Sequence, residues 1–254
     1  MRVLKSELFK MTHKKDIYII CLCLIGFAIL FSYMMGSNSD TMIITGLDKM
    51  GAMFFSVFLY NYTSGLFLFQ IITAVTVTGI WAAEFSNGTI ATTITKAKSR
   101  RQVFIQKSLV ALTYSIIYLI ILFVAGWIFY STIGSTSQYY TTDFMFNMKG
   151  DLIGLMITML LSVLFCNAAV TLFSMMESQI KALLLYLVTL IVMKVLERVE
   201  AIRSFVPTYL TGSNLAFSNE WNTALMVKSI VIILIWSGLL YAASLIIFKK
   251  KNIS

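Results

Sequence analysis

Long apolar runs separated by short polar stretches are the dominant pattern of this chain. Six runs stand out, at about 17–35, 64–83, 109–130, 152–176, 182–196 and 229–248. A helix needs about 20 apolar residues to cross the hydrocarbon core of a bilayer. Backbone groups in lipid must be satisfied within the segment, which favours helices. The pattern therefore predicts an all-α polytopic membrane protein with six transmembrane helices in a single transmembrane domain, residues 1–254.

Composition and charge agree with a membrane protein rather than a soluble one. Hydrophobic residues make up 59% of the chain and charged residues 12%, whereas soluble domains keep about a quarter of their residues charged. A net charge of +9 could suggest a nucleic-acid partner, but 14 of the 20 Lys and Arg residues fall on one side of the six-span topology. The positive-inside rule then places both termini in the cytoplasm.

Two amphipathic patterns lie outside the apolar runs. Residues 1–15 carry a stripe of Leu4, Leu8 and Met11, which predicts an interfacial helix with Lys10 and Lys14 turned to water or headgroups. A second stripe opens the long outer connection 197–227 and predicts a helix that Pro207 ends, the alternative being a solvated loop. Its members are Val195, Val199, Ile202 and Val206.

The sequence lacks the residues that most enzymes and ion-driven carriers need. No G-x-x-x-x-G-K-[ST] phosphate loop occurs, and the only histidine, His13, precedes the first span. No charged residue falls at the centre of a span, where coupled carriers place them. We therefore predict no catalytic residue, no metal site and no cofactor in this chain, and expect that any energy for transport comes from another polypeptide.

A few neutral polar residues enter the spans. Gln70 lies in the second and Asn167 in the fourth. Hydrogen bonding between helices is their default role, and contact with a substrate pathway is the sharper alternative. Cys21, Cys23 and Cys166 also fall inside spans, where we expect plain packing residues.

The polar segment 84–107 between the second and third runs is the most informative stretch. Glu84 ends the second span, and Asn87-Gly88 is a strong turn signal. Thr89 can cap a short helix. An apolar stripe then recurs at i, i+4 and i+7, formed by Ile90, Ile94 and Ala97. A short amphipathic helix facing the cytosol predicts a docking element for a second protein, the alternative being a helix that lies in lipid.

A basic cluster closes this segment. Ser99 is a good N-cap for the next helix, and Arg100 and Arg101 follow at its start. Cations at a helix N-terminus oppose the helix dipole. We therefore expect lipid phosphates or the acidic groups of a partner to hold the two arginines.

These residues resemble a known family. The pattern of Glu84, Gly88 and Thr89, a short helix, then Ser99-Arg100-Arg101 and a span that begins at Lys107 looks like the inner loop of type-2 ABC export permeases. The N-terminal segment is similar to that family's interfacial elbow, with Glu7, Lys10 and Lys14 as its charged residues. One departure is Ala97-Lys98, where many members have a proline.

The resemblance implies a function. Such permeases form homo- or heterodimers, and each subunit docks on a separate ATPase that holds ATP and Mg²⁺. Small members resemble exporters and immunity transporters for amphipathic peptides in Gram-positive bacteria, phenol-soluble modulin export included. The bacterial cell membrane is then the expected location. The ATPase-coupling residues would be Glu84, Gly88, Thr89, Ile90, Ile94, Ala97, Ser99, Arg100 and Arg101.

A second class of function stays open at this point. The chain could be a non-transporting membrane protein, such as a sensor, an assembly partner or a peptide-immunity factor. Its inner loop would then bind lipid or a signalling protein. An ATPase reading frame beside the gene would favour the transporter.

Overall fold

The computed structural model is all-helical over the residues it describes, which are 2–37, 49–95, 99–146, 152–211 and 223–251. The helices are α1 (Arg2–Thr12), α2 (Lys15–Gly36), α3 (Ala52–Gly65), α4 (Leu68–Ile80), α5 (Ala82–Ser86), α6 (Thr89–Thr95), α7 (Arg100–Thr132), α8 (Leu152–Met176), α9 (Gln179–Leu196), α10 (Glu200–Arg203), α11 (Pro207–Leu210) and α12 (Thr223–Lys250). Within these ranges, β-type pairing is confined to an isolated bridge between Met50 and Tyr140.

Six helices in the described part of the chain are long and apolar enough to cross a membrane. They are Lys15–Gly36, Leu68–Ser86, Arg100–Thr132, Gly154–Met176, Gln179–Leu196 and Ala224–Lys250. This confirms the predicted all-α fold with six membrane-spanning helices. By packing, the chain divides into two compact units. The first comprises Met1–Lys14, Gln70–Ile116 and Ile157–Ser254, and the second comprises Lys15–Phe69 and Ile117–Met156. The single-domain organisation stays a prediction.

Helix α3 is an element that the hydrophobic pattern did not reveal. Its apolar residues alternate with Ser56, Asn61 and Thr63, so no run of spanning length forms. The backbone breaks after Gly65, and Phe67 takes a positive φ of 61° before α4 begins. The predicted second span, which began at residue 64, therefore starts four residues too early because two helices meet there.

The predicted outer helix that Pro207 ends is also wrong. The structure has two four-residue helices, α10 and α11, and Pro207 is the first residue of the second one. Proline suits the first helical position because its missing N–H has no acceptor there. In the predicted stripe, Val195, Val199 and Ile202 are exposed, whereas Val206 is buried.

The second unit packs α3 closely on α7. A Cβ on Gly126 would lie 3.1 Å from Leu59 Cδ2 and 3.3 Å from Ser56 Oγ, so glycine allows this approach. Near the end of α7, the rings of Phe55 and Tyr130 stack with centroids 4.2 Å apart and an interplanar angle of 8°. Aromatic stacking adds stability beyond that of the buried area.

The first unit contains α1, α5, α6 and α9 to α12, with parts of α4, α7 and α8. One of its apolar clusters joins α8, α11 and α12 through Leu161, Phe165, Leu210 and Ile233. Another surrounds Trp81, which is fully buried and lies 5.5 Å from Phe104, ring centroid to ring centroid. The cluster around Trp81 lies beside the polar segment 84–107.

Candidate functional site

A fully buried lysine marks the centre of the site. Lys107 lies two turns into α7, and its side chain is 0% exposed. Its Nζ donates to Glu7 Oε2 at 2.9 Å and to Glu84 Oε2 at 2.7 Å. The ammonium also lies 5.8 Å from the centroid of the Trp81 ring, within the range of a cation–π contact. One residue of α7 therefore ties α1 to α5.

Lys10 completes a closed ring of alternating charges. Its Nζ lies 2.9 Å from Glu7 Oε1 and 3.5 Å from Glu84 Oε1. Each of the four side chains, Glu7, Lys10, Glu84 and Lys107, thus contacts two opposite charges, and we call this set the ion quartet. The quartet is neutral overall, which satisfies the requirement that buried charges be paired.

The environment shifts the pKa of two quartet members. Burial is the largest influence on Glu7 and opposes its ionisation, but the charges and hydrogen bonds of Lys107 and Lys10 outweigh it and lower the Glu7 pKa below 4.5. Burial also disfavours the charged form of Lys10. Its contacts with Glu7 and Glu84 outweigh that effect and raise the Lys10 pKa above 10.5. Both groups are therefore ionised at neutral pH.

The quartet changes the roles expected for the elbow residues. Lys10 was expected to face water or headgroups, yet its half-exposed side chain is paired with two carboxylates. Glu7 is buried, although nothing in the local pattern sets it apart. Lys14 donates to the backbone oxygen of Gly79 at 3.4 Å. Met11, in the predicted apolar stripe, is buried, while the side chain of Leu4 lies outside the described residues.

Residues 84–101, for which docking is predicted and which we call the docking segment, have their turn at Gly88 and their cap at Ser99 where the sequence predicts them. Gly88 has a φ of +68°, which a glycine adopts without strain, and α6 starts at the next residue. Thr89, the expected cap, is thus the first helical residue. Ser99 caps α7, because its Oγ accepts a hydrogen bond from the N–H of Gln102 at 3.2 Å.

The faces of α6 differ from the expectation. Ile90 is only 1% exposed and Thr93 is buried, so Ile90 packs inside the protein and does not project outward. Ile94 is half-buried, and Ala97 lies outside the described residues. The exposed positions are three threonines at i, i+3 and i+6, namely Thr89, Thr92 and Thr95.

The two arginines have different surroundings. Arg100 Nη1 donates to the backbone oxygens of Lys249 at 2.9 Å and Lys251 at 3.1 Å, at the C-terminal end of α12. This contact within the same chain was not expected. Contact of the two arginines with lipid phosphates or with the acidic groups of a partner stays a prediction. Arg101 is exposed. Glu84, one of the expected ATPase-coupling residues, is engaged in the ion quartet.

The two neutral polar residues of the predicted pathway lie on helices that meet. Asn167 is fully buried, and its Nδ2 donates to Ser115 Oγ at 3.0 Å and to Val163 O at 2.9 Å. Cys166 Sγ donates to the backbone oxygen of Gln70 at 3.9 Å. The default role of Asn167, a hydrogen bond between helices, is confirmed. A role of either residue in a substrate pathway stays a prediction.

Sequence reasoning missed Lys107 as the hub of the site. A local signal exists, because Lys107 is the last charged residue before the apolar stretch of α7 and follows the apolar residues Val103 and Phe104. A lysine next to an apolar stretch needs a carboxylate partner when it is buried. Its partners lie 23 and 100 residues away, so no local pattern could name them.

Comparison with known proteins identifies the family of this chain. The family model for ABC-2 family transporter proteins matches residues 3–193, about three-quarters of the chain, and this range includes the whole ion quartet and the docking segment. No curated protein matches the chain. The chain therefore belongs to the ABC-2 transporter family.

Proposed function

We propose that this protein exports amphipathic or hydrophobic peptides, of the antimicrobial or toxin-like kind, from a bacterial cell. Membership of the ABC-2 family makes it a multi-pass membrane permease subunit of an ABC transporter and implies association with an ABC ATPase subunit. The peptide class is supported by the size and layout of the chain, which resemble those of small exporters and immunity transporters for amphipathic peptides within the type-2 ABC export permeases. In this proposal two permease subunits form the pathway, and a separate ATPase holds ATP and Mg²⁺.

The observation that carries the proposal is that one side of α6 is buried and the other side is exposed. Ile90 and Thr93 fix one side of this short helix to the first unit, and the exposed side consists of Thr89, Thr92 and Thr95. The Thr92 hydroxyl donates to Thr89 O at 2.7 Å, and the Thr95 hydroxyl donates to Thr92 O at 2.9 Å. Threonine carries no charge, so this outward face is uncharged. Because the Thr92 and Thr95 donors are engaged within the helix, the face presents methyl groups and hydroxyl acceptors. Such a face suits a neutral groove on an ATPase.

The anchoring of α6 also supports force transmission. Glu84, which precedes the turn at Gly88, is bonded through Lys107 to α7 and through Lys10 to α1. A displacement imposed on α6 is therefore passed to three helices of the first unit rather than absorbed by a loose loop. In this proposal the ion quartet links the ATPase contact to the permease.

Substitution on the exposed face of α6 tests the docking claim. Thr92→Asp adds a charge where the partner groove is neutral, and we expect it to abolish copurification with the ABC ATPase while membrane insertion is retained. Ser135→Asp is a matched control, since Ser135 is also exposed and its hydroxyl also donates to the carbonyl three residues before it. Equal copurification of both variants would show that α6 is not the contact.

Transport in inside-out vesicles tests the substrate class. Vesicles that contain the permease and its ATPase should take up an amphipathic helical peptide when ATP is added, and the same peptide should stimulate ATP hydrolysis. Sugars and polysaccharide precursors should have no effect. Stimulation by these carbohydrates but not by the peptide would overturn the peptide assignment. Peptide binding without uptake would contradict export.

A further inference from the structure

The last residues of α12 form an aromatic contact with the docking segment and its neighbours. Phe248 is fully buried, and its ring centroid lies 5.6 Å from that of Trp81, 6.1 Å from that of Phe85 and 6.0 Å from that of Phe104. Phe85 lies just before the turn at Gly88, and Phe104 lies in the first turns of α7. One side chain of α12 therefore touches the chain on both sides of α6.

Two cations, Arg100 and Lys251, make further contacts between the end of α12 and its neighbours. Arg100 Nη1 donates to the backbone oxygens of Lys249 and Lys251 at 2.9 and 3.1 Å. The carbonyls of the last helical turn lack partners within the helix and carry the negative end of its dipole, so a guanidinium there is favourable. Because Arg100 is the first residue of α7, these bonds join the start of α7 to the end of α12.

Lys251 makes the second charged contact. Its Nζ donates to Met175 O at 2.7 Å, near the end of α8, and lies 4.2 Å from the centroid of the Phe85 ring. Burial lowers the pKa of Lys251, and the charge of Glu177 offsets this only in part. We call residues 248–251 the C-terminal clasp. The clasp reaches α5, α7 and α8 within the first unit.

We propose that the C-terminal clasp positions the docking segment by holding α5 on one side of α6 and the start of α7 on the other. The clasp residues act through Phe85 and Arg100 and do not themselves contact the ATPase. The inference rests on the proposed function in taking residues 84–101 as the ATPase contact. The family match ends at residue 193, so the clasp lies in the part of the chain beyond it.

The positioning role is tested first without any ATPase. Hydrogen exchange of the α6 amides, residues 89–95, is measured on the full-length protein in lipid nanodiscs. We expect Arg100→Ala to speed this exchange about tenfold, as the loss of charge-assisted bonds implies. Arg101→Ala is the control, since Arg101 is the neighbouring residue and is exposed. Equal exchange in the two variants would overturn the clasp.

A second pair of variants tests the clasp in case Arg100→Ala does not fold. Lys251→Met keeps the apolar stem of the side chain but removes the bond to Met175, and Lys250→Met is its exposed counterpart. Lys251→Met should speed exchange in α6 several-fold, and Lys250→Met should leave it unchanged. If Lys251→Met has no effect although the protein is folded, the clasp does not position α6.

The coupling of ATP hydrolysis to peptide export in the complete transporter then distinguishes a positioning role of the clasp from a role in stability alone. We expect Arg100→Ala to raise the number of ATP molecules hydrolysed per peptide exported several-fold, with the KM for ATP unchanged. Arg100→Lys should restore only part of the coupling, because an ammonium lacks the planar fork of donors. Faster exchange with normal coupling would overturn the positioning role. Failure of the wild-type protein to pair with an ABC ATPase would refute the proposed function instead, and the exchange measurement would still decide whether the clasp holds α6.

Discussion

Lys107→Met removes the hub of the ion quartet while keeping the length of the side chain. The wild-type ammonium is 0% exposed and donates two charge-assisted bonds, at 2.7 and 2.9 Å. Each such bond contributes about 1.5–3 kcal/mol. Its removal leaves Glu7 and Glu84 with Lys10 as their remaining quartet partner. Breaking a buried ion pair in this way typically costs 3–5 kcal/mol, and we expect the free energy of unfolding to fall by about that amount.

The matched control is Lys10→Met. Lys10 contacts the same two carboxylates, but half of its side chain is exposed and one of its distances is 3.5 Å. Exposed ion pairs contribute about 0–1 kcal/mol, so this variant should lose no more than about 1 kcal/mol. Reversible unfolding of the purified proteins in bicelles, followed by circular dichroism, gives both values. Equal losses for the two lysines would refute the claim that burial makes Lys107 the hub.

Neutralising the partners should rescue the variant. When Lys107→Met is combined with Glu7→Gln and Glu84→Gln, no unpaired carboxylate remains next to the methionine. Replacement of a whole buried ionic group by neutral residues is often close to neutral in stability. The triple variant should therefore recover most of the lost stability. If it is no more stable than Lys107→Met alone, the loss comes from packing rather than from stranded charge.

Three further predictions concern single features of the first unit. Burial opposes the ionisation of Glu7, but the two lysines outweigh it and lower the Glu7 pKa, so the free energy of unfolding should hold above pH 4.5 and fall as the pH drops through that pKa. Glu7→Gln should make the free energy of unfolding less dependent on pH in this acidic range, and an unchanged dependence would contradict the pairing. Gly88→Ala should lower the free energy of unfolding by about 1 kcal/mol because Gly88 has a positive φ. Gly79 lies within α4 and has equal room for a Cβ, so Gly79→Ala should leave stability unchanged or raise it. Thermal unfolding of both variants measures the difference, and equal effects would exclude backbone strain at Gly88. A double-mutant cycle of Asn167→Ala and Ser115→Ala should give a coupling of about 0.6 kcal/mol, typical of hydrogen bonds between membrane helices, and additive losses would mean that the bond contributes nothing.

The sequence predicts the membrane helices well because spanning length is a local property. Long apolar runs in lipid have one dominant solution, and all six appear as helices. Helix α3 was not predicted because Ser56, Asn61 and Thr63 interrupt its apolar pattern, and its packing on α7 within the second unit follows from the tertiary fold. Pro207 was assigned to the wrong end of a helix because proline both ends helices and begins them.

The site was predictable only in its local parts. The turn at Gly88 and the cap at Ser99 depend on neighbouring residues, and both are confirmed. The partners of Lys107 and Arg100 lie up to 100 and 151 residues away, so they follow from the tertiary fold alone. The burial of Ile90 has the same origin, since an amphipathic stripe shows that one face is covered but not by what.

Crosslinking from position 92 tests the central claim most directly. A photoreactive amino acid replaces Thr92 in cells, the membranes are irradiated, and the crosslinked products are identified by mass spectrometry. The same substitution at Thr113, an exposed position within the spanning part of α7, is the control. We predict that position 92 crosslinks to an ABC ATPase and that position 113 does not. Lipid adducts alone at position 92, or adducts to proteins without a nucleotide-binding site, would contradict the account.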